Sequence, residues 1–135
     1  MRLSLYNTGT VFLSLTIFIN ATSQSPVRGM ELSCRAHPQI VGKCFNIYGR
    51  LSVYNGAPSL RLWPVGSHRL LGVSEQRFAV EGFRNVPLNI SKYVDGQNEL
   101  FGDFVVCPFT KPRNREMRLV CIESGKNLTV RKRRL

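Results

Sequence analysis

Strict alternation of apolar and polar residues over residues 45–54 constrains the fold of this chain more than any other feature of its sequence. Phe45, Ile47 and Leu51 alternate with polar residues such as Asn46 and Arg50. A period of two over ten residues is the pattern of a β-strand with one buried face and one exposed face. Because a strand cannot bury its apolar face alone, this pattern predicts a sheet that packs around a core.

The segment that follows predicts a hairpin with a four-residue loop. Residues 55–58 (Asn-Gly-Ala-Pro) are turn residues, and residues 59–63 resume the alternation. A two-residue turn would place Arg50 opposite Arg61, whereas the longer loop places Arg50 opposite Trp63. Like charges that face each other are destabilising and a guanidinium over an indole ring is favourable, so we expect the longer loop.

Short apolar segments separated by turn signals continue to the C-terminus and indicate an all-β domain. The predicted fold is a small antiparallel barrel or sandwich, stapled by disulfides, with one irregular or short helical segment near residues 88–94. The spacing also fits a five-stranded barrel of OB type. After the hairpin, the expected strands are residues 69–73, 100–109, 117–122 and, beyond Ser124-Gly125, residues 127–131.

The first 23 residues have the organisation of a signal peptide. Arg2 gives a positive start, residues 11–19 are apolar, and small residues precede a cleavage point after Ser23. The apolar run is shorter than the roughly 20 residues that span a bilayer, so we expect no transmembrane span after cleavage; the alternative is an uncleaved anchor helix. The predicted divisions are a signal peptide (1–23), a flexible leader (24–33), a single β domain (34–131) and a basic C-terminal tail (132–135).

All four cysteines follow the proposed cleavage point, which predicts two disulfides formed in an oxidising compartment. Four cysteines allow three pairings. Cys34 and Cys44 flank a short loop, and a hairpin centred on Asn114 places Cys107 opposite Cys121, so Cys34–Cys44 and Cys107–Cys121 are the expected bonds. The cysteines lack the tight pairs that hold zinc, and we expect no metal and no cofactor.

Net charge indicates the class of partner. The chain has 19 Lys and Arg residues against 8 acidic residues, a formal charge of +11. Without residues 1–23 there remain 18 basic and 8 acidic residues, a formal charge of +10. A domain of this charge is drawn to polyanions such as nucleic acid, acidic lipid head groups or acidic polysaccharide, and the charge alone does not choose among them.

Three groups of residues are candidate binding sites. The solvent face of the first hairpin mixes flat rings with guanidinium groups, a combination that stacks bases or sugars and attracts phosphate or carboxylate; the same residues also fit an ordinary sheet surface. A basic hairpin tip and a basic C-terminal run are the other two. The groups are Tyr48, Arg50, Tyr54, Arg61 and Trp63; Lys111, Arg113, Arg115 and Arg118; and Arg131, Lys132, Arg133 and Arg134.

No motif predicts catalysis. His37 and His68 are the two histidines, both expected in exposed loops, and no serine lies on a Gly-x-Ser-x-Gly turn. Asp103 interrupts an apolar stretch and is either a general acid or base or a structural carboxylate; we expect the structural role.

Several short motifs occur in a recognisable order after the first two cysteines. They are Gly-Arg-Leu (49–51), Tyr-Asn-Gly (54–56), Trp-Pro-Val-Gly (63–66), Phe-Gly-Asp-Phe (101–104) and Cys-Pro-Phe (107–109). In this order the mature region resembles short exported bacterial proteins with no assigned role. The resemblance implies a location in the bacterial periplasm or outside the cell, and it supplies no active site.

Together these features predict an exported, non-enzymatic binding module for an anionic envelope component or polymer. One alternative is an envelope protein–protein partner, such as an inhibitor or accessory subunit, with Tyr54 and Trp63 as its anchors. The other alternative is a small hydrolase.

Overall fold

The computed structural model describes Gly9, residues 32–74, Phe78 and residues 83–134. Apart from Gly9, the predicted signal peptide lies outside the described residues, as does the leader up to residue 31. Within the described residues the chain forms five strands, a short helix and a 3-10 turn. In order they are the 3-10 turn (Cys34–Ala36), β1 (Phe45–Val53), β2 (Leu60–Pro64), β3 (Leu71–Val73), α1 (Leu88–Ser91), β4 (Asn98–Pro108) and β5 (Arg118–Lys132).

The five strands belong to one sheet. Their order is β1-β2-β3-β5-β4, and β4 also pairs with β1, so the pairing returns to its starting strand. The all-β class, the disulfides and the short helical segment are confirmed, whereas a sandwich of two sheets is wrong for the described residues. The expected antiparallel pairing is also wrong at one place, because β3 and β5 are parallel. Between them the chain forms α1 and β4, and β5 then lies beside β3 in the same direction.

The register of the first hairpin agrees with the sequence prediction. Arg50 lies opposite Trp63 and Leu51 lies opposite Leu62. The pairing continues one residue beyond the strands, since the Tyr54 amide donates to the Ser59 carbonyl at 2.7 Å. The loop therefore comprises the four residues 55–58, as expected from the unfavourable pairing of two arginines in the shorter loop.

The buried residues form two clusters. The main cluster lies on the inner side of the sheet, where the side chains of all the strands meet and Ile90 of α1 is fully buried among them. The second cluster surrounds the disulfides, and at its centre Phe109 stacks on Phe78 with the ring centroids 4.1 Å apart. The main cluster consists of Leu51, Leu60, Leu62, Leu71, Val73, Ile90, Leu100, Phe104, Val106, Val120 and Ile122.

The disulfides pair Cys34 with Cys121 and Cys44 with Cys107. The expected bonds Cys34–Cys44 and Cys107–Cys121 are therefore wrong, although Cys107 does lie opposite Cys121 in the β4–β5 register, as the hairpin predicted.

Backbone hydrogen bonding explains why the facing cysteines of β4 and β5 do not join. The Phe109 amide donates to the Leu119 carbonyl, so Phe109 and Leu119 form a hydrogen-bonded pair. Hydrogen-bonded and non-hydrogen-bonded pairs alternate along an antiparallel ladder. Cys107 and Cys121 lie two residues further along and are therefore also a hydrogen-bonded pair. Cys107 faces Cys44 across the other type of pair, where the Cα atoms approach more closely. The Cα–Cα distance is 4.1 Å there, and the bond forms on that side.

β5 is longer than the sequence predicted. The expected break at Ser124-Gly125 does not occur, and one strand continues to Lys132 with irregular pairing near residues 101–106 of β4. A side chain at Gly125 would crowd the buried Ile90, whose Cδ1 lies 2.8 Å from an ideal Cβ position. In a strand such a glycine marks a close approach rather than a turn. The strand thus includes Lys132, the first residue of the predicted tail.

Gly49 of β1 and Gly102 of β4 face each other at a crowded point of the sheet. An ideal Cβ at Gly49 would lie 2.9 Å from Leu62 Cδ1 and 3.0 Å from the Trp63 carbonyl oxygen. At Gly102 it would lie 2.7 Å from Leu128 Cδ2 and 2.9 Å from the Lys126 carbonyl oxygen.

We expect Gly102→Ala to lower the free energy of unfolding by about 1–3 kcal/mol, as overpacking commonly does. Adding Leu128→Ala is not expected to restore stability, because the Lys126 backbone carbonyl remains within 2.9 Å of the new methyl group. Urea unfolding of the single and double variants measures both effects. Full rescue by Leu128→Ala would contradict the assigned backbone clash.

Candidate functional site

The outer surface of β1, β2, β4 and the end of β5 carries a cluster of guanidinium groups and aromatic rings. One row of this surface runs from Trp63 through Arg50 and Phe101 to Thr129, as the strand registers require. We call the cluster the basic–aromatic face. It consists of Arg50, Tyr54, Arg61, Trp63, Phe101, Arg131 and Arg133.

Within this face, the side chains of Arg50 and Trp63 contact each other and other residues of the fold. The Arg50 guanidinium carbon lies 5.1 Å from the centroid of the Trp63 ring, as the hairpin register predicted. Its amino groups also contact the Tyr54 hydroxyl at 3.2 Å and the Glu99 carboxylate at 3.4 Å, while Nε is buried and has no hydrogen-bond partner among the described residues. The Trp63 indole N–H donates to the Ser67 carbonyl at 2.8 Å. Arg50 is therefore largely paired within the fold.

Tyr54 contacts two further arginines, Arg61 from the neighbouring strand β2 and Arg133 from the segment that follows β5. The guanidinium carbons of Arg61 and Arg133 are 5.3 Å and 5.5 Å from its ring centroid. Arg61 donates to the carbonyls of Pro58 and Asn55 at 3.0 Å and 3.3 Å. Arg133 donates to the Val53 carbonyl at 2.6 Å. These acceptors are neutral, so they orient the two guanidinium groups without cancelling their charge.

Arg131 completes the face on β5. Its guanidinium carbon lies 4.6 Å from the Phe101 ring centroid. It is opposite Glu99 in the strand register, but the Glu99 carboxylate contacts Arg50 and accepts from the Ser52 hydroxyl instead. No carboxylate of the described residues forms an ion pair with Arg61, Arg131 or Arg133.

The other predicted residues of the first and third groups lie around this face. Tyr48 is on the same side of β1, opposite Asp103, and is 51% exposed. Lys132 and Arg134 are exposed at the end of β5. The hairpin face and the C-terminal run, separate in the sequence, thus meet in one place.

The basic hairpin tip is not part of this face. Lys111, Arg113 and Arg115 are exposed between β4 and β5, and Arg118 stacks on Phe45 at 5.0 Å. Phe45 begins β1 and Tyr54 follows its end. At about 3.3 Å per residue, the nine steps from Phe45 to Tyr54 separate the two basic regions by roughly 30 Å.

The histidines differ in environment. His68 is exposed, as expected, whereas His37 is 3% exposed, so the prediction of an exposed loop histidine is wrong there. The ring of His37 packs against Phe83 and Phe109, with centroids 4.4 Å and 5.0 Å away. Its Nε2 is 2.9 Å from the Phe78 carbonyl oxygen, and its Nδ1 accepts from the Gln39 amide at 3.1 Å. Both ring nitrogens are thus engaged with the backbone.

Asp103 is an exposed residue of β4 that accepts a hydrogen bond from the Asn127 side-chain amide at 2.8 Å. Its neighbours Gly102 and Phe104 point inward, because successive residues of a strand face opposite sides. The apolar stretch around Asp103 therefore does not bury the carboxylate.

The chain matches no protein-family model, no curated protein and no solved structure. Among the described residues, no three His, Cys, Asp or Glu side chains are grouped so that they could hold a metal ion. Over the same part of the chain, no helix is both long enough and apolar enough to cross a membrane.

The sequence prediction missed Phe101 and Glu99, which the β1–β4 pairing brings beside Arg50 and Ser52. The signal was present, since the outward parity of β4 follows from its alternation with buried Leu100 and Phe104. It required knowledge that β4 pairs with β1.

Proposed function

We propose that this chain is an exported binding module without catalytic activity that binds an anionic polymer through the basic–aromatic face. One observation carries the proposal: among the described residues, Arg61, Arg131 and Arg133 are held against rings or by neutral carbonyl groups, not by carboxylates. A guanidinium group fixed in this way keeps its charge and loses little further freedom when it binds an anion.

The chemistry of the face favours a polymer with both negative groups and flat or apolar surfaces. Arg131 and Arg133 are alternate residues of one extended segment, so both side chains face the same side as Arg61 and Tyr54. The guanidinium groups attract phosphate, sulfate or carboxylate, and the half-buried rings beside them add apolar contact surface.

We also propose that the fold is a barrel of OB type and that the protein is located in an oxidising compartment. A parallel β3–β5 pair, a helix between β3 and β4 and the closing β1–β4 pair favour a five-stranded barrel of OB type. Two disulfides are consistent with an oxidising compartment such as the bacterial periplasm or the exterior, after removal of a signal peptide.

The test compares two variants of the oxidised, exported protein that lose the same charge. Arg61→Gln/Arg131→Gln/Arg133→Gln removes the three charges of the face that form no ion pair with a described carboxylate. The control, Lys43→Gln/Lys111→Gln/Arg115→Gln, removes three exposed charges elsewhere. We expect the face variant to elute from heparin at clearly lower salt than the control. With duplex DNA as the probe, the slope of log affinity against log salt should fall by about two to three units.

Equal elution of the two triple variants would show that net charge alone governs retention and would reject the face as the site. Retention of the unaltered protein no greater than that of an equally basic control protein would reject polyanion binding itself. The glutamine variant is preferable to truncation after Val130, because residues 131 and 132 pair with β4 and their loss would also shorten the sheet.

A protein partner is the second candidate function. Tyr48 and Val65 are 51% and 44% exposed, and they are neighbours because the Val65 amide donates to the Tyr48 carbonyl at 3.0 Å. They are better placed as anchors than Tyr54 and Trp63, which the arginines partly cover. Tyr48→Ala should weaken a protein complex and leave heparin elution unchanged. A hydrolase has less support, because both nitrogens of His37 are engaged.

A further inference from the structure

A second site lies at the other end of β1 from the basic–aromatic face. A cavity of about 170 Å³ opens between the start of β1, the connection from β2 to β3 and the β4–β5 hairpin. Arg69, Arg113 and Arg118 line it together with one carboxylate, Glu116, and the rest of its wall is mainly apolar and includes Phe45. Cationic groups around an apolar hollow suit a ligand that has an anionic head and an apolar body.

The three arginines are available to a ligand to different degrees. Arg118 is oriented by Phe45 and by donation from its Nε to the Thr110 carbonyl at 3.1 Å, which leaves its two amino groups for a ligand. Arg113 pairs with Glu116 at 3.6 Å, but both side chains are more than 60% exposed, and such a surface pair is weak. Arg69 is exposed and forms no hydrogen bond or ion pair through its side chain with the described residues.

We propose that this cavity binds a phosphomonoester dianion attached to an aromatic or apolar group. Three guanidinium groups against one carboxylate favour a doubly charged head over a singly charged one. At ~30 Å³ per water, the cavity has room for about five or six waters, which matches a phosphate group and the first atoms of its substituent. Phe45 and the other apolar residues then contact the substituent. The site does not depend on polymer binding by the basic–aromatic face.

The experiment titrates the oxidised full-length protein with phenyl phosphate, followed by NMR chemical-shift changes. Benzenesulfonate is the matched probe, because it has the same ring and a single negative charge. Since a phosphomonoester takes up its second negative charge near pH 6, we expect phenyl phosphate to bind roughly tenfold more tightly at pH 7.5 than at pH 5. Benzenesulfonate should bind more weakly at pH 7.5 and show no such pH dependence.

Arg69→Gln is the informative variant, because the Arg69 side chain forms no hydrogen bond or ion pair with the described residues, and we expect it to weaken phenyl phosphate binding at least fivefold. Arg61→Gln, on the basic–aromatic face, is the control and should leave the affinity unchanged. Equal affinity for phenyl phosphate and benzenesulfonate, or an unchanged affinity in Arg69→Gln, would overturn the proposal. Either result leaves the heparin experiment unaffected, so the two sites are tested separately.

Discussion

Replacing Cys34 and Cys121 with alanine is expected to lower the free energy of unfolding by about 3 to 4 kcal/mol. The bond links residues that are 87 positions apart, but with Cys44–Cys107 intact it closes a loop of only about 26 residues (34–44 and 107–121), for which the chain-entropy estimate is about 3.5 kcal/mol. For a domain of this size the melting temperature should fall by roughly 15–30 °C. Removal of Cys44 and Cys107, 63 positions apart, should have an effect only slightly smaller.

Two measurements distinguish this disulfide pairing from the alternative in which Cys34 joins Cys44 and Cys107 joins Cys121. Proteolytic digestion without reductant, followed by mass spectrometry, should give peptides that join Cys34 to Cys121 and Cys44 to Cys107. The variant Cys34→Ala/Cys44→Ala should lose the stabilisation of both bonds, whereas pairing of neighbours would preserve a Cys107–Cys121 bond worth roughly 3 kcal/mol. Recovery of a Cys34–Cys44 peptide from native protein would contradict the fold around the second cluster.

Phe109→Ala is expected to cost about 3–5 kcal/mol, which is typical for removal of a buried phenylalanine ring. Phe109 is 4% exposed, stacks on Phe78 and meets His37 and Phe83 edge to face. Its loss removes the surface on which the segments before β1 and after β3 pack. Amide hydrogen exchange in residues 34–44 should therefore increase more than exchange in β1.

Phe101→Ala is the matched control for this prediction. The same ring is removed there from the outer side of β4, where Phe101 is half-buried and covered by Arg131. We expect a loss of about 1 kcal/mol or less, on the scale of a partly exposed cation–π contact. Urea unfolding measures both variants, and similar losses would show that Phe109 is not a principal core residue.

The parts of the fold that were predictable depend on neighbouring residues in the sequence. Alternation over residues 45–54 located β1, and the competition between Arg61 and Trp63 for the position opposite Arg50 fixed the hairpin register. These interactions are decided within about fifteen residues, so the sequence alone contains the choice. The position of Cys107 opposite Cys121 was predictable for the same reason.

The parts that were not predictable depend on which strands become neighbours. Cys107 joins Cys44 because β4 also pairs with β1. No pattern of neighbouring residues in the sequence predicts the pairing of these two strands. His37 is buried because Phe78, Phe83 and Phe109 converge on it from separate segments. Arg133 reaches Tyr54 because β5 continues through Gly125. In each case the deciding contact joins residues more than 35 positions apart.

The nested arrangement of the two disulfides also bears on how the protein matures. In the proposed exported setting, the chain enters the oxidising compartment from its N-terminus, so the thiols of Cys34 and Cys44 arrive first and neither is the other's partner. Correct oxidation must wait until residues 107 and 121 have crossed. A bond made earlier between the leading pair has to be undone by thiol–disulfide exchange, a step that an isomerase performs and an oxidant alone does not.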